Sequence, residues 1–201
     1  MTNSSQQSLR PFAPPRVVGI DGASALAGLP IYEEFDMADL TNLESKLGEV
    51  IGLAMAAQTA TEKVSRLAAD EAPELVESLD RMNGEATETE RRCMAVVETI
   101  EGKKTAIQDE AAATKRKGAE MLKIYLDDDS DALDGFEFLT MAEAGEVGHW
   151  KVLKTMTDRD GDSRLSELCT WAIPIQERHF AEVNQGSVRL AAAEDPAAVS
   201  G

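Results

Sequence analysis

Between Thr41 and Gln185 the chain carries only two prolines, Pro73 and Pro174, while alanine, leucine, glutamate, lysine and methionine dominate. Apolar residues recur there at steps of three and four, and no alternating strand pattern occurs anywhere. Long breaker-poor stretches with that period predict helices. The spacing places them at about Thr41–Ala69, Pro73–Glu101, Thr105–Leu126, Ser130–Thr157 and Ser163–Gln185. Thr41 with Glu44 three residues on forms a capping-box pattern, and Pro73 suits a first helical turn. The first stripe is Leu43, Leu47, Val50, Ala54, Ala57, Thr61, Val64 and Ala68; the second runs Leu75, Leu79, Met82, Ala86, Thr89, Cys93, Val96 and Ile100. Asn83-Gly84 is expected to bend or split the second helix. The short 105–126 helix, with Lys115, Arg116 and Lys117, reads as largely exposed. Pro174 is expected to kink the last helix and free one carbonyl, and Gly186 to stop it. Helices of this length joined by short turns predict an all-α, antiparallel four-helix bundle with one extra short helix.

The flanks differ. Residues 1–36 hold four of the seven prolines and no sustained period, which predicts an irregular N-terminal arm. Its apolar pieces, Val17–Ile20 and Leu29–Phe35, are candidates for docking on a partner or a neighbouring subunit. The expected divisions are therefore an arm over 1–36, a helical body over 37–190 and a tail over 191–201. The formal net charge is −17, which argues against nucleic acid or an anionic membrane as the main partner, since both call for clustered Lys and Arg. No apolar run approaches the ~20 residues of a membrane span. The start of the chain lacks the pattern of a secretory signal, and Cys93 and Cys169 make no disulfide framework. A cytoplasmic protein with reduced thiols is the expectation.

The 130–157 helix carries the chemistry. Its seam is Phe136, Leu139, Glu143, Glu146, Trp150 and Leu153, so two glutamates fill positions the pattern reserves for core side chains. A buried carboxylate is costly unless paired, protonated or metal-bound. His149 follows Glu146 by three residues, and Glu-x-x-His is the spacing by which bundle helices present a carboxylate and an imidazole to iron or manganese. Gly145 and Gly148 suggest close packing beside them. On the 163–185 helix the seam is read as Leu165, Leu168, Ala172, Ile175 and His179, with Glu177 near the Pro174 kink. Both histidines of the chain, His149 and His179, thus fall on the inward half of these two helices. Glu143, Glu146, His149, Glu177 and His179 are the candidate metal ligands. The first two helices supply no comparable carboxylate: Glu49, Gln58 and Glu62 sit off the seam, and Glu85, Glu88 and Glu90 beside Arg91 and Arg92 read as a salt-bridged outer face.

Several motifs over residues 40–190 resemble the ferritin-like superfamily, most closely the bacterial stress-associated YciE/YciF-like proteins. Glu85-Ala-Thr-Glu-Thr-Glu-Arg is similar to that family's His-x-x-Glu-Thr helix. Glu143-Ala-Gly-Glu146-Val-Gly-His-Trp150 is similar to its Glu-x-x-Glu stretch with a following aromatic. Asp160-Gly-Asp and Gln176-Glu177 are similar to its Gly-Asp turn and Glu-Glu pair. The resemblance implies a ferritin-like bundle, a homodimer or higher homo-oligomer, and a di-iron centre without firmly assigned activity. The family's histidine is replaced by Glu85 or by Met82, depending on which neighbours are aligned. Its first-helix glutamate falls near Gln58, and the first glutamate of its pair is Gln176.

Asp158-Arg-Asp-Gly-Asp-Ser imitates a calcium loop, but Ser163 stands where the turn-forming glycine belongs and Cys169 where the bidentate glutamate belongs. A helix–helix turn capped by Asp162 or Ser163 is expected instead. Two functions follow. One is a metal-binding, stress-related protein holding Fe or Mn, which as an enzyme would be an iron-dependent oxidoreductase. The other is a non-catalytic helical assembly component with a degenerate metal site and a partner-binding arm.

Overall fold

The computed structural model describes residues 39–198, so the arm expected over 1–36 and the last residues of the tail lie outside the described residues. The described chain is all-helical: α1 (Asn42–Glu71), α2 (Pro73–Val97), α3 (Lys104–Tyr125), α4 (Ala132–Asp160) and α5 (Ser163–Ala191). The boundaries follow local chemistry. Thr41 caps α1 through a reciprocal capping box with Glu44, and Asp131 caps α4 in the same way with Asp134. The calcium-loop imitation is a helix-to-helix turn: Gly161 ends α4 at φ 88, and Asp162 accepts hydrogen bonds from the Arg164 and Leu165 amides at the start of α5.

Adjacent helices along the chain run antiparallel. Asn83 Nδ2 of α2 donates to Gln58 O and Thr61 Oγ1 of α1, at 2.7 and 2.9 Å. Thr140 of α4 meets Ser187 of α5 at 3.0 Å. Helix α3 returns parallel to α1 and packs on its outer side, so α1 is buried against α2 and α4 on one side and α3 on the other. Two apolar clusters fill the interior. One is built around Leu47, Ile51, Ile107, Trp150 and Leu153, the other around Leu79, Met82, Phe136, Leu139 and Val183. Between them the buried side chains turn polar: Thr61, Thr89, Glu143, Glu146, Gln176 and His179.

Several expectations need correction. Helix α2 runs unbroken through Asn83-Gly84, because the Asn83 amide is tied to α1 instead of turning back on its own backbone. Helix α5 passes Gly186 and ends at Ala191. Gly186 is a contact, since a Cβ there would fall inside the Phe136 ring's van der Waals surface. Helix α3 keeps Lys115–Lys117 exposed but buries Ile107, Ala111, Thr114 and Leu122. It approaches α1 along glycines: a Cβ on Gly48 would stand 2.8 Å from Glu110 Cβ, and one on Gly52 would meet Ala111 O and Thr114 Cβ. Gly145 and Gly148, expected to serve close packing, have nothing within 4 Å of where their Cβ atoms would be. Among the described residues no helix is long and apolar enough to cross a membrane.

Candidate functional site

The polar layer is assembled from α4, α5 and α2. The α4 seam carries Glu143 and Glu146 inward, leaving them 1% and 4% exposed. From α5 come Gln176 and His179, three residues apart on one helical face and 1% and 2% exposed. Glu85 reaches in from α2: its Oε2 lies 2.6 Å from His179 Nε2. Arg178 Nη2 donates to both Glu85 oxygens at 2.6 Å. A carboxylate held by a guanidinium only accepts, so the His179 proton belongs on Nε2, and the Nδ1 lone pair is left free. That Nδ1 stands 3.7 Å from Glu143 Oε2.

Electrostatics follow from burial. Partial burial pushes the Glu85 carboxyl up, but the hydrogen bonds from His179 and Arg178 outweigh it and hold Glu85 below its ordinary range. Burial lowers His179, with Glu85 offsetting part of the shift. Burial, and then the charge of Glu146, raise Glu143 well above the carboxylate range. Burial raises Glu146 to about 8. Near neutral pH the pair therefore holds protons unless a cation replaces them. Among the described residues, Glu143 Oε2, Glu146 Oε1, Gln176 Oε1 and Trp150 Nε1 are buried without a hydrogen-bond partner. The two carboxyl oxygens in that set call for a proton or a cation, and the Gln176 oxygen for a donor. Such groups cost about 1–3 kcal/mol each when unsatisfied.

Of the expected ligands, the structure sets Glu143 3.7 Å from His179, buries Glu146 on the same face of α4, places His149 on the rim of a cleft that Glu143 and Glu146 also line, and leaves Glu177 apart. His149 sits half-exposed at the α1–α4 edge, where its Nδ1 is 3.0 Å from Glu49 Oε2 and Lys46 is also in contact. At ~100° per residue, His149 falls roughly 90° away from the mean direction of the α4 seam. Glu177 is exposed and paired with Lys151 Nζ at 2.7 Å; two residues before His179, it lies on nearly the opposite side of α5. Gln176 and Glu85 were not among the expected donors. Gln176 was readable, because Gln-x-x-His has the same three-residue spacing as Glu-x-x-His. Glu85 was hidden within an acidic run whose neighbour Glu88 does pair with Arg91 and Arg92 as read.

Whether these residues suit a metal ion turns on the donor set. Among the described residues no group of three or more His, Cys, Asp or Glu side chains is poised to hold one. By chemistry alone, the two carboxylates, the Gln176 amide oxygen and the free imidazole nitrogen buried in this layer are hard-to-intermediate donors of the kind that suits Fe²⁺ or Mn²⁺. A carboxylate accepting from the ligand histidine's other nitrogen is the usual support for such a site. The unpartnered oxygens are ones that a bound cation would satisfy. Helix α1 buries no carboxylate in the layer: it contributes Thr61, and its half-buried Gln58 donates to Glu90 Oε2 at 2.7 Å. No family model matches the chain, and neither a curated protein nor a solved structure does.

Proposed function

We propose that this chain is a ferritin-like four-helix-bundle protein that binds one divalent iron or manganese ion in its polar layer. Glu143, Glu146, Gln176 and His179 are the donors, and Glu85 orients His179. The observation that carries the reading is the set of buried acceptor oxygens without partners, on Glu143, Glu146 and Gln176. The connectivity supports the architecture: α1, α2, α4 and α5 surround the layer, and α3 is a long crossover that leaves α2 and α4 parallel, as the single crossover of ferritin-like bundles does. One ion, rather than a pair, follows from the lack of an α1 carboxylate buried in the layer.

A bound iron ion would supply redox chemistry towards O₂ or peroxide. The chain's own residues would hold it: Glu85 fixes the tautomer of His179, and the apolar clusters border the layer on either side. Titration of chelator-treated full chain with Mn(II), followed by calorimetry and electron paramagnetic resonance, tests this. Saturable binding near one ion per chain, lost in Glu146→Ala and in His179→Gln, supports it. A second reading, the non-catalytic bundle with a degenerate site, is favoured by the proton-holding state of the Glu143–Glu146 pair. Folded protein that takes up no Mn(II) would establish that reading instead.

A further inference from the structure

A cleft of ≈ 230 Å³ opens between α1, α3 and α4 on the side of the carboxyl pair away from His179. Ala56, Ala57 and Ala60 of α1 face Met121 of α3 and Leu139 and Ala142 of α4 across it. Glu143 and Glu146 line the same cleft, although each is buried and turns an unpartnered oxygen into the protein. The carboxyl groups therefore form the wall between the cleft and the His179 layer. A cleft walled by small and flexible apolar side chains, with a few convergent polar groups, is the usual form of a small-molecule site.

We infer that this cleft binds an uncharged small molecule, an apolar body of about ten non-hydrogen atoms at this volume carrying one hydroxyl-type head that donates to the Glu143–Glu146 wall. No Lys or Arg lines the cleft, and its one basic side chain, His149, is already paired through Nδ1 with Glu49 Oε2 at 3.0 Å, so an anionic head meets two carboxyl groups with no free cation to offset its charge. A cationic head would surrender its hydration against walls that are apolar on nearly every side. A hydroxyl satisfies an acceptor at little desolvation cost, and the apolar body replaces water against Ala57, Ala60 and Leu139. The inference concerns the cleft face of the pair and holds with or without a metal on the other face.

The test uses 2-naphthol, 2-naphthoate and 2-naphthylmethylammonium, one ring system with three heads. Each is titrated by fluorescence into the chelator-treated full chain and into Mn(II)-supplemented chain. Saturable 2-naphthol binding to the metal-free chain, with naphthoate and the ammonium each weaker by about tenfold or more, is the expected result. Gly145 lines the cleft and has open space at its Cβ position. Gly145→Leu should therefore keep full helicity while weakening 2-naphthol by about tenfold or more. Absence of saturable 2-naphthol binding, equal or tighter binding of either charged probe, or an unchanged affinity in folded Gly145→Leu overturns the inference. Because the metal-free arm stands alone, failure of Mn(II) to bind sinks only the metal reading. Mn(II) binding without 2-naphthol binding sinks only this one.

Discussion

His179 Nε2 stands 2.6 Å from Glu85 Oε2, a contact that joins α5 to α2 across the polar layer. The pairing sets which ring nitrogen is free to face Glu143, so in the proposed metal site Glu85 would orient a ligand without being one. Glu85→Gln is expected to weaken Mn(II) binding by about 10–100-fold, the usual cost of losing such a support. Stoichiometry and helicity should stay unchanged. Calorimetric titration of the variant checks this, and an affinity equal to that of the parent chain would remove Glu85 from the site.

The carboxyl pair predicts an unusual pH response of the metal-free chain. Glu146 titrates at about 8 when folded, against an ordinary 4.5, so the folded state binds more protons in between. Its contribution is complete below 4.5 and is lost as pH rises through about 8. His179 has the opposite sign, because its folded value lies below 6.5 and acid favours the unfolded state, but it is silent above 6.5. The melting temperature should therefore fall between pH 6.5 and 8. In Glu146→Gln that slope should flatten. Saturating Mn(II) should reverse it, since the ion displaces protons and binds more tightly as they leave.

Two α-helical glycines should respond oppositely to alanine. At Gly52 an added Cβ would meet Ala111 O and stand 2.6 Å from Thr114 Cβ. Backbone cannot give way cheaply, so Gly52→Ala is expected to cost about 1–3 kcal/mol. At Gly145, with open space around the Cβ position, alanine should stabilise by about 0.5–1 kcal/mol through helix propensity. Urea denaturation of both variants measures the difference in sign.

Gly186 and Phe136 should be energetically coupled. A methyl group at Gly186 would intrude on the Phe136 ring, and Phe136 is 1% exposed, so Gly186→Ala should destabilise by about 1–3 kcal/mol. Phe136→Leu shortens that wall, and the double variant should be less destabilised than the sum of the singles. A double-mutant cycle reads the coupling, and strict additivity would mean the ring moves aside freely.

The helical class was legible because periodicity and the scarcity of proline leave few alternatives, and Glu143 and Glu146 were legible because carboxylates interrupt an otherwise apolar seam. What escaped depends on angles and partners. His149 follows Glu146 by one turn, but the inward arc of α4 is narrow enough for the same spacing to carry it to the edge beside Glu49. Choosing Ile175 for the α5 seam displaced Gln176, although a one-residue shift fits Ala172, Gln176, His179 and Val183 equally well, and all four are buried. The roles of Asn83 and Gly186 were not readable locally at all. A turn-forming pair and a helix-stopping glycine are overridden by contacts with residues 22 and more positions away.

The glycine seam between α1 and α3 gives the cleft a fixed gauge. Gly118 and Ala56 both line it, and a Cβ on Gly118 would stand 2.6 Å from Ala56 Cβ. The gap is thus set by the distance at which two backbones can rest, and rotamers of the lining side chains adjust only its length and finish. Adding one carbon at Gly118 would prise α3 outward and admit a thicker molecule without altering any group that touches its head. Selectivity for ligand thickness then resides in a residue with no chemistry of its own.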